Sequence, residues 1–577
     1  MYGIIKNMKK KVSLLGILLL VPISASFVSC ANNNLIITPK TDKTYHVGDF
    51  FRLDDFDIKN GSDNLKIELD HEEFPDGSVL NDKGNYVFTI TDEKNQKSTD
   101  INISVLSKED RNIKKEDFTY YDLGKNASLP TLQTTGDLNV LVVPYIVKGF
   151  EANASQTNLD RIKRTFAGDS TNTNYESVSS FYKKSSYNKL NINFTVTDWF
   201  DTKMSPMDIY LENDKSQNDI GINYITNSCL EYYKTTYKDD ATKFDNDKDG
   251  LIDAIWVISS APNYTKNSYD SRFASMYWAF TYRNIPNYQL ANILDPKVCN
   301  FSNITYDFMD YGYGTSGVDA HTFIHETGHL LGLLDYYSYN YDCSPMGDVD
   351  MMDYNIGDHN ALSKYALGWV KPTVVRESKT ITLKPFENDG SFILVGSKNF
   401  IDFAFDEYFT IEFITPTNLN EKDYLNVFHG VSEIQGYSKP GIRITHADNR
   451  GAYISESRKT ISSDDTNKIT KNYLTNTPSN NPKFLANPLY FANIMNKNYG
   501  SANSNPLENW YKKSDEALFF KGEKFSLNND SVYKELMPSN SSKLNKYLMG
   551  ESADNIVDFS VEVIDITETE ATLKIDF

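Results

Sequence analysis

The sequence predicts a multidomain protein of the α+β class. Its 577 residues are enough for about three or four domains of ordinary size. Short runs of alternating apolar and polar residues occupy both ends of the chain, which is typical of β-sandwiches. Between these ends, apolar strands alternate with segments of helical periodicity, which predicts an α/β domain in the middle.

The N-terminus has the pattern of a secretory signal, which we assign to residues 1–29. Lys9–Lys11 precede an apolar run from Val12 to Val28. The run ends in F-V-S-C, which resembles a bacterial lipobox with phenylalanine where leucine is usual. Cys30 is therefore predicted to carry a lipid on the outer face of the bacterial cell membrane, with 30–34 as a tether. There are two alternatives: ordinary cleavage of the signal peptide with full release of the protein, and retention of the segment as an N-terminal transmembrane anchor.

Residues 35–107 are predicted to form an immunoglobulin-like β-sandwich. Short β-like segments alternate there with turn residues, and they end in Tyr86–Ile90 and Ile101–Val105. The polar stretch 108–135 that follows is predicted to be a linker.

The central domain is assigned to residues 136–372. It opens with Leu138–Pro144, which is almost continuously apolar, as expected of a central strand. Further strands at 190–197 and 254–259 alternate with helical segments such as Ile220–Tyr233. This order predicts a twisted sheet backed by two long helices.

Residues 373–577 are predicted to form a β-rich domain of the sandwich type. The chain ends in two largely alternating segments, Val561–Ile566 and Ala571–Phe577. The polar stretch 451–545 interrupts this pattern, and we interpret it as long insertions on the sandwich.

The most informative motif is H-E-x-x-H-x-x-G-x-x-D, which begins at His325. His325 and His329 are four residues apart, so on a helix both project from one face and can hold one Zn²⁺. Glu326 beside them can act as general base towards a metal-bound water. Gly332 permits a sharp turn that brings Asp335 back as the third ligand. The fourth position stays open, which indicates a catalytic site rather than a structural one.

Other residues compete for the remaining ligand positions. A glutamate on a second helix completes many H-E-x-x-H sites, but no glutamate occurs between Glu326 and Glu377. His359 is the main competitor of Asp335, and we favour a supporting or loop-fixing role for it. His321, one turn before the motif, can add a fourth nitrogen, although a hydrogen-bonded helix residue is the preferred interpretation.

Two methionines follow the third ligand in Asp348–Asn355, as in the Met-turn beneath a metzincin zinc ion. An unbranched methionine packs under imidazole rings without competing for the metal. We assign this part to Met352. Tyr354, two residues further on, is either a catalytic residue near the metal or an ordinary packing residue.

A second metal signal begins at Asp245. Carboxylates at positions 1, 3, 5 and 9, with glycine at position 6, match the first part of a calcium loop. Position 12 is Trp256 rather than glutamate, which excludes a full EF-hand. A solvated acidic turn before a strand is the alternative. The predicted Ca²⁺ ligands are four carboxylates and one backbone carbonyl: Asp245, Asp247, Asp249, Asp253 and the carbonyl of Leu251.

These motifs resemble bacterial immune-inhibitor-A-type metalloproteases over roughly residues 135–450. The resemblance implies a secreted zinc endopeptidase of metzincin type, often with calcium and a β-rich C-terminal module. Zinc-ligand roles then carry over to His325, His329 and Asp335, and the general-base role to Glu326. The resemblance rests on the zinc motif, on the methionine segment and on four further segments: His359–Val370, Ser179–Tyr187, Val196–Phe200 and Gly441–Asp448.

Composition narrows the choice of partners. A net charge of −20 should repel nucleic acid and anionic lipid headgroups. Beyond Cys30 only Cys229, Cys299 and Cys343 remain, so at most one intramolecular disulfide can form. We therefore expect a monomer, stabilised by its core, that acts on protein or peptide substrates. A surface adhesin with an inactive protease-like domain is the rival hypothesis, and a lipoprotein with structural zinc is a second.

Overall fold

The computed structural model divides the chain into two compact units, of which the first comprises 1–109 with 211–220 and the second 110–210 with 221–577. Both are built mainly of β-sheets, with few helices. The signal segment, Cys30, Cys343 and most of 451–545 lie outside the described residues. These are 34–41, 43–107, 117–122, 131–169, 171, 173–212, 221–264, 271–283, 290–310, 318–336, 346–347, 349–396, 400, 402, 404–427, 435–448, 491–494, 514–526 and 558–577.

The described residues of the first unit form seven strands around one apolar core. The strands β2, β7, β6, β4 and β5 form one sheet in that order, and β1 pairs with β3 in a second sheet. Phe51 and Phe88 are fully buried, and their rings stack 4.1 Å apart. The strands are β1 (Ile36–Pro39), β2 (Tyr45–His46), β3 (Phe56–Lys59), β4 (Leu65–Leu69), β5 (Glu72–Glu73), β6 (Gly84–Asp92) and β7 (Lys97–Leu106).

The second unit begins with an α/β region. Its elements are β8 (Gly136–Ile146), α1 (Gln156–Ala167), α2 (Val178–Ser185), β9 (Leu190–Val196), β10 (Phe200–Asp201), α3 (Pro206–Leu211), α4 (Ile222–Tyr237), β11 (Leu251–Ile252), β12 (Ile255–Ser259), β13 (Phe280–Arg283), β14 (Lys297–Val298), β15 (Asn300–Thr305) and α5 (His321–Leu330). The main sheet has the order β10-β8-β12-β15-β13, and β9 also pairs with β8.

The strands of this sheet are parallel except β13, which runs antiparallel to β15. Val140 and Trp256 face the core that holds α1, α2 and α5, whereas their neighbours Leu141 and Ile255 are buried on the opposite face. Burial on both faces explains the continuous apolar runs that predicted these strands.

The chain then forms α6 (Ala361–Ala366), β16 (Thr373–Val374), β17 (Lys379–Leu383), α7 (Phe386–Asp389), β18 (Phe392–Gly396), β19 (Glu407–Ile414), α8 (Glu421–Leu425), β20 (Gly441–Asp448), β21 (Phe491–Ile494), β22 (Lys524–Ser526), β23 (Ser560–Ile566) and β24 (Ala571–Asp576). One sheet has the order β16-β18-β19-β20-β21, and the other has the order β17-β24-β23-β22. The two sheets enclose a common apolar core.

Two expected domain limits differ in the structure. Leu394 and Tyr408 share the large core with Trp369, so the chain does not separate into compact units at 372/373. The described parts of the predicted linker, 117–122 and 131–135, are not a free connection, because Tyr120 and Leu132 are buried in that same core. Both differences arise from long-range packing, which local polarity does not reveal.

No helix in the described part of the chain is long and apolar enough to cross a membrane. Cys229 is a buried free thiol, and Cys299 is also buried.

Candidate metal centre

Helix α5 carries the H-E-x-x-H motif in the interior of the second unit. At its start the Asp319 carboxylate accepts a hydrogen bond from the His321 amide at 2.9 Å. At its end Gly332 adopts a φ of +102°, a conformation that side chains other than glycine rarely adopt. The Leu132 amide donates to the Leu330 carbonyl at 2.8 Å, which satisfies one of the last carbonyls of the helix.

The glycine turn brings Asp335 to the two histidines. Asp335 Oδ1 lies 2.9 Å from His325 Nε2 and 3.2 Å from His329 Nε2. A tetrahedral Zn²⁺ with bonds of about 2.0–2.1 Å would separate its ligand atoms by roughly 3.3 Å. The two imidazole nitrogens and the carboxylate oxygen are donor types that Zn²⁺ binds, and both distances to the carboxylate oxygen are close to this value.

Backbone carbonyls fix the orientation of both imidazole rings. His325 Nδ1 lies 2.7 Å from the Met351 carbonyl, and His329 Nδ1 lies 2.8 Å from the Leu333 carbonyl. Each Nδ1 must donate its hydrogen there, which directs each Nε2 towards Asp335. The Met351 carbonyl thus orients the His325 ring, as a hydrogen-bonded carboxylate orients a histidine ligand in many zinc sites.

His329 and Asp335 shift each other's pKa. Burial lowers the pKa of His329, but the Asp335 carboxylate outweighs it and raises that pKa to about 9. Burial conversely raises the pKa of Asp335, yet His329 and His325 hold it well below its usual range. Asp335 and His329 therefore stabilise each other's charged forms in this buried cluster.

Glu326 lies beside the ligands in a buried environment. Burial is the main cause of its raised pKa, which the neighbouring histidines partly oppose. A carboxylate oxygen of Glu326 and one nitrogen from each histidine lie within 4.8 Å of one another. A buried carboxylate of raised basicity at this position suits a general base.

Met352 packs directly against α5. A Cβ atom added to Gly328, which lies between the two histidines, would come within 2.4 Å of Met352 Sδ. The amide of Tyr336 also donates to the Met352 carbonyl at 2.7 Å. Met352 thus lies close to Gly328, and its assignment as the Met-turn residue remains a prediction. Tyr354 is half-buried two residues further on, and its catalytic role remains a prediction.

His359 does not approach the ligand set. Its ring is buried among those of Phe181, Tyr182 and Trp369, at centroid distances of 5.5, 5.8 and 6.1 Å. Neither of its ring nitrogens has a hydrogen-bond partner among the described residues. Burial therefore holds its pKa well below the usual value. The ring packs as an aromatic group, and the supporting or loop-fixing role of His359 remains a prediction.

His321 is held between two carboxylates rather than by a metal. Its Nδ1 lies 2.7 Å from Asp319 and its Nε2 lies 2.8 Å from Asp423, and the ring stacks on Tyr175. Burial lowers its pKa, but the two carboxylates outweigh this effect and raise the pKa to about 10. With both nitrogens occupied, His321 anchors the start of α5 and does not join the ligand set.

The His321 contacts predict a loss of stability at alkaline pH. The folded pKa of about 10 exceeds the ordinary 6.5, so the stabilisation is complete below pH 6.5 and disappears as pH rises through about 10. Between pH 7 and 10 the free energy of unfolding should fall by about 2–4 kcal/mol from this group. Urea unfolding in a Glu326→Gln background, which prevents self-cleavage, measures the change. A His321→Gln variant should lack it, and equal slopes would contradict the prediction.

The predicted calcium loop brings together three of its four carboxylates. Asp245, Asp247 and Asp253 have oxygens within 4.8 Å of one another. Asp249 instead accepts a hydrogen bond from the Leu251 amide at 3.1 Å. Burial, together with the charges of Asp249 and Asp247, raises the pKa of Asp245 to about 7. A divalent cation would relieve this accumulation of negative charge.

Calcium is expected to stabilise the protein through this loop. A ligand at 100 times its Kd adds about 2.7 kcal/mol to the free energy of unfolding. Thermal unfolding with Ca²⁺ and with a chelator should show this difference, and Asp253→Asn should remove most of it. The control is Asp198→Asn, which removes an exposed carboxylate outside the loop. An equal response of both variants to Ca²⁺ would refute the site.

Several residues around the centre have no signal in the sequence. Thr281 contacts Glu326, Arg283 donates to the His329 carbonyl at 3.0 Å, and Asp423 holds His321. Tyr121 donates to Asp247 of the acidic loop. No motif or characteristic spacing marks these residues in the sequence, and only the tertiary fold places them beside the site.

Comparison with known proteins adds no further assignment. Neither a protein-family model nor a curated protein matches this chain. The chemistry of the centre is therefore inferred from its own residues and their geometry.

Proposed function

We propose that this protein is an extracellular zinc-dependent endopeptidase of the metzincin type, similar to immune-inhibitor-A proteases. The observation that carries the proposal is the approach of His325 Nε2 and His329 Nε2 to the same oxygen of Asp335, at 2.9 and 3.2 Å. The buried Glu326 beside them supplies the base that peptide hydrolysis needs.

The residues of the chain have distinct parts in the reaction. His325, His329 and Asp335 would hold Zn²⁺, which when bound supplies Lewis acidity to a water molecule and to the scissile carbonyl. Glu326 takes a proton from the attacking water and later delivers it to the leaving amine. Its burial raises the pKa of the carboxylate, which favours the first step, in which it accepts a proton.

The position of strand β13 favours a peptide substrate. It is the last strand of its sheet, and among the described strands it pairs only with β15. A free edge can accept an extended peptide as an additional strand. Because Thr281 of β13 contacts Glu326, such a peptide would lie next to the general base.

The remaining assignments belong to the same proposal. The first unit would be an immunoglobulin-like spacer, the second a metzincin-like domain with a C-terminal β-sandwich, and the acidic loop a structural Ca²⁺ site. Cys30 would carry the lipid that anchors the enzyme to the outer face of the membrane. The rival, an adhesin with an inactive protease domain, is disfavoured because the ligands and the base are all present.

Incubation of the protein with unfolded casein, with and without a zinc chelator, tests the function. We expect cleavage that the chelator stops and that added Zn²⁺ restores. Mass spectrometry of the fragments would then define the cleavage sites. Intact casein after incubation with zinc-loaded protein would favour the adhesin, and cleavage that survives complete zinc removal would exclude a zinc mechanism.

A further inference from the structure

Strand β13 contacts the active-site helix through Thr281. Its Oγ1 lies 2.9 Å from Oε2 of the Glu326 carboxylate and 3.0 Å from the Glu326 carbonyl. We propose that Thr281 is a positioning residue that holds the Glu326 carboxylate in its working orientation. This inference rests on the proposed function and adds to it a residue from a different part of the chain.

The hydrogen of the Thr281 hydroxyl is available to Glu326 because Ser302 can supply the other contact. Thr281 and Ser302 are directly opposite in the β13–β15 pair, and their hydroxyl oxygens are 2.7 Å apart. If the fully buried Ser302 donates to Thr281, then Thr281 is free to donate to the carboxylate. Cross-strand pairing thus creates a short chain of hydrogen bonds that ends at the general base.

Thr281 is the carboxylate's sole hydrogen-bond partner within the described part of the chain. The carbonyl of Glu326 lies inside α5, where it accepts the usual helical hydrogen bond, so the carboxylate has the greater need of a donor. A buried carboxylate that loses its donor pays a desolvation cost and becomes free to rotate. Removing the hydroxyl should therefore disturb the base without disturbing the ligands.

The strand is a rigid support for this hydroxyl. Residues 281 and 283 lie on the same face of β13, since side chains alternate along a strand. Arg283 donates to the His329 carbonyl at 3.0 Å, and this contact joins the strand to the end of α5. Thr281 is thereby placed by the sheet and by Arg283 and does not depend on Glu326 for its position.

Two substitutions of Thr281 distinguish the effect of its hydroxyl group from the effect of its side-chain shape. Thr281→Val keeps the branched shape and suits a strand, whereas Thr281→Ser keeps the hydroxyl. In zinc-loaded protein we expect valine to lower kcat by about 10- to 100-fold with KM unchanged, and serine to stay within about threefold of the original protein. Zinc content and melting temperature are measured for each variant. If the valine variant fails to fold, Thr281→Ala replaces it.

Binding of acetohydroxamate provides a readout that does not need turnover. While its oxygens bind the metal, its acidic proton must be taken by Glu326, so a displaced carboxylate weakens binding. Calorimetry should show an approximately tenfold loss for valine and little loss for serine. Unchanged kcat and affinity in a folded, zinc-loaded valine variant, or equal losses in both variants, would overturn the inference. Absence of proteolysis in the original protein would instead count against the proposed function.

Discussion

Replacement of Glu326 by glutamine is expected to lower the rate of peptide hydrolysis by about 10²- to 10⁴-fold. Glutamine has nearly the same shape but cannot accept the proton of the attacking water. The ligand atoms of His325, His329 and Asp335 are unaffected, so zinc binding should persist. Loss of turnover with retained metal would distinguish a general base from a ligand.

The measurement combines casein cleavage with zinc content by atomic absorption. A matched control is Glu377→Gln, which removes an exposed carboxylate that lies outside the centre. The control should retain full activity and zinc. Proteolysis at the original rate in the Glu326 variant would rule out the proposed mechanism, whatever the metal content.

Replacement of Asp335 by alanine should weaken zinc binding by more than about 100-fold, because it removes a ligand rather than a supporting group. The two histidines would also lose the carboxylate oxygen that lies within 3.2 Å of both. Activity should fall in parallel, since two imidazoles alone do not define the open tetrahedral site that catalysis needs.

Calorimetric titration of the metal-free protein with Zn²⁺ measures this effect. Asp335→Asn should give an intermediate affinity, because an amide oxygen can still bind but carries no charge. The exposed Asp198→Asn serves as the control and should bind zinc normally. If the alanine variant retained the original affinity, Asp335 would not be a ligand, and the third position would have to be sought elsewhere.

The close approach of Asp335 to His325 and His329 could be predicted because it depends on local sequence. His325 and His329 lie on one face of the helix because of helix periodicity alone. The turn at Gly332 then brings back Asp335, which is only a few residues further along the chain. Thr281, Asp423 and Leu132 could not be predicted, because their contacts join residues that are far apart in sequence. The acidic loop is an intermediate case, since Asp249 fits the pattern but contacts the backbone instead.

In the fold as well, features that depend on local sequence could be predicted, whereas those that depend on long-range contacts could not. The buried strand predicted at 254–259 is observed at Ile255–Ser259, since a run of apolar residues is a local signal. The segment 108–135 was expected to be a linker from its polarity, yet Tyr120 and Leu132 lie in the core. A few large buried side chains in a polar segment determine its position, and average composition does not reveal them.

The contacts around α5 also set the order in which the protein can mature. Leu132 satisfies the end of this helix, and Asp423 fixes its start, so chain from both sides of the motif must be present. Contacts of such long sequence separation slow folding, because the long loops between the residues must close before the contacts can form. For a chain that crosses a membrane unfolded, metal uptake would follow translocation of everything up to α8. Under the proposed function, hydrolytic activity would then arise only after translocation, and the proteins of the producing cell would be protected during synthesis.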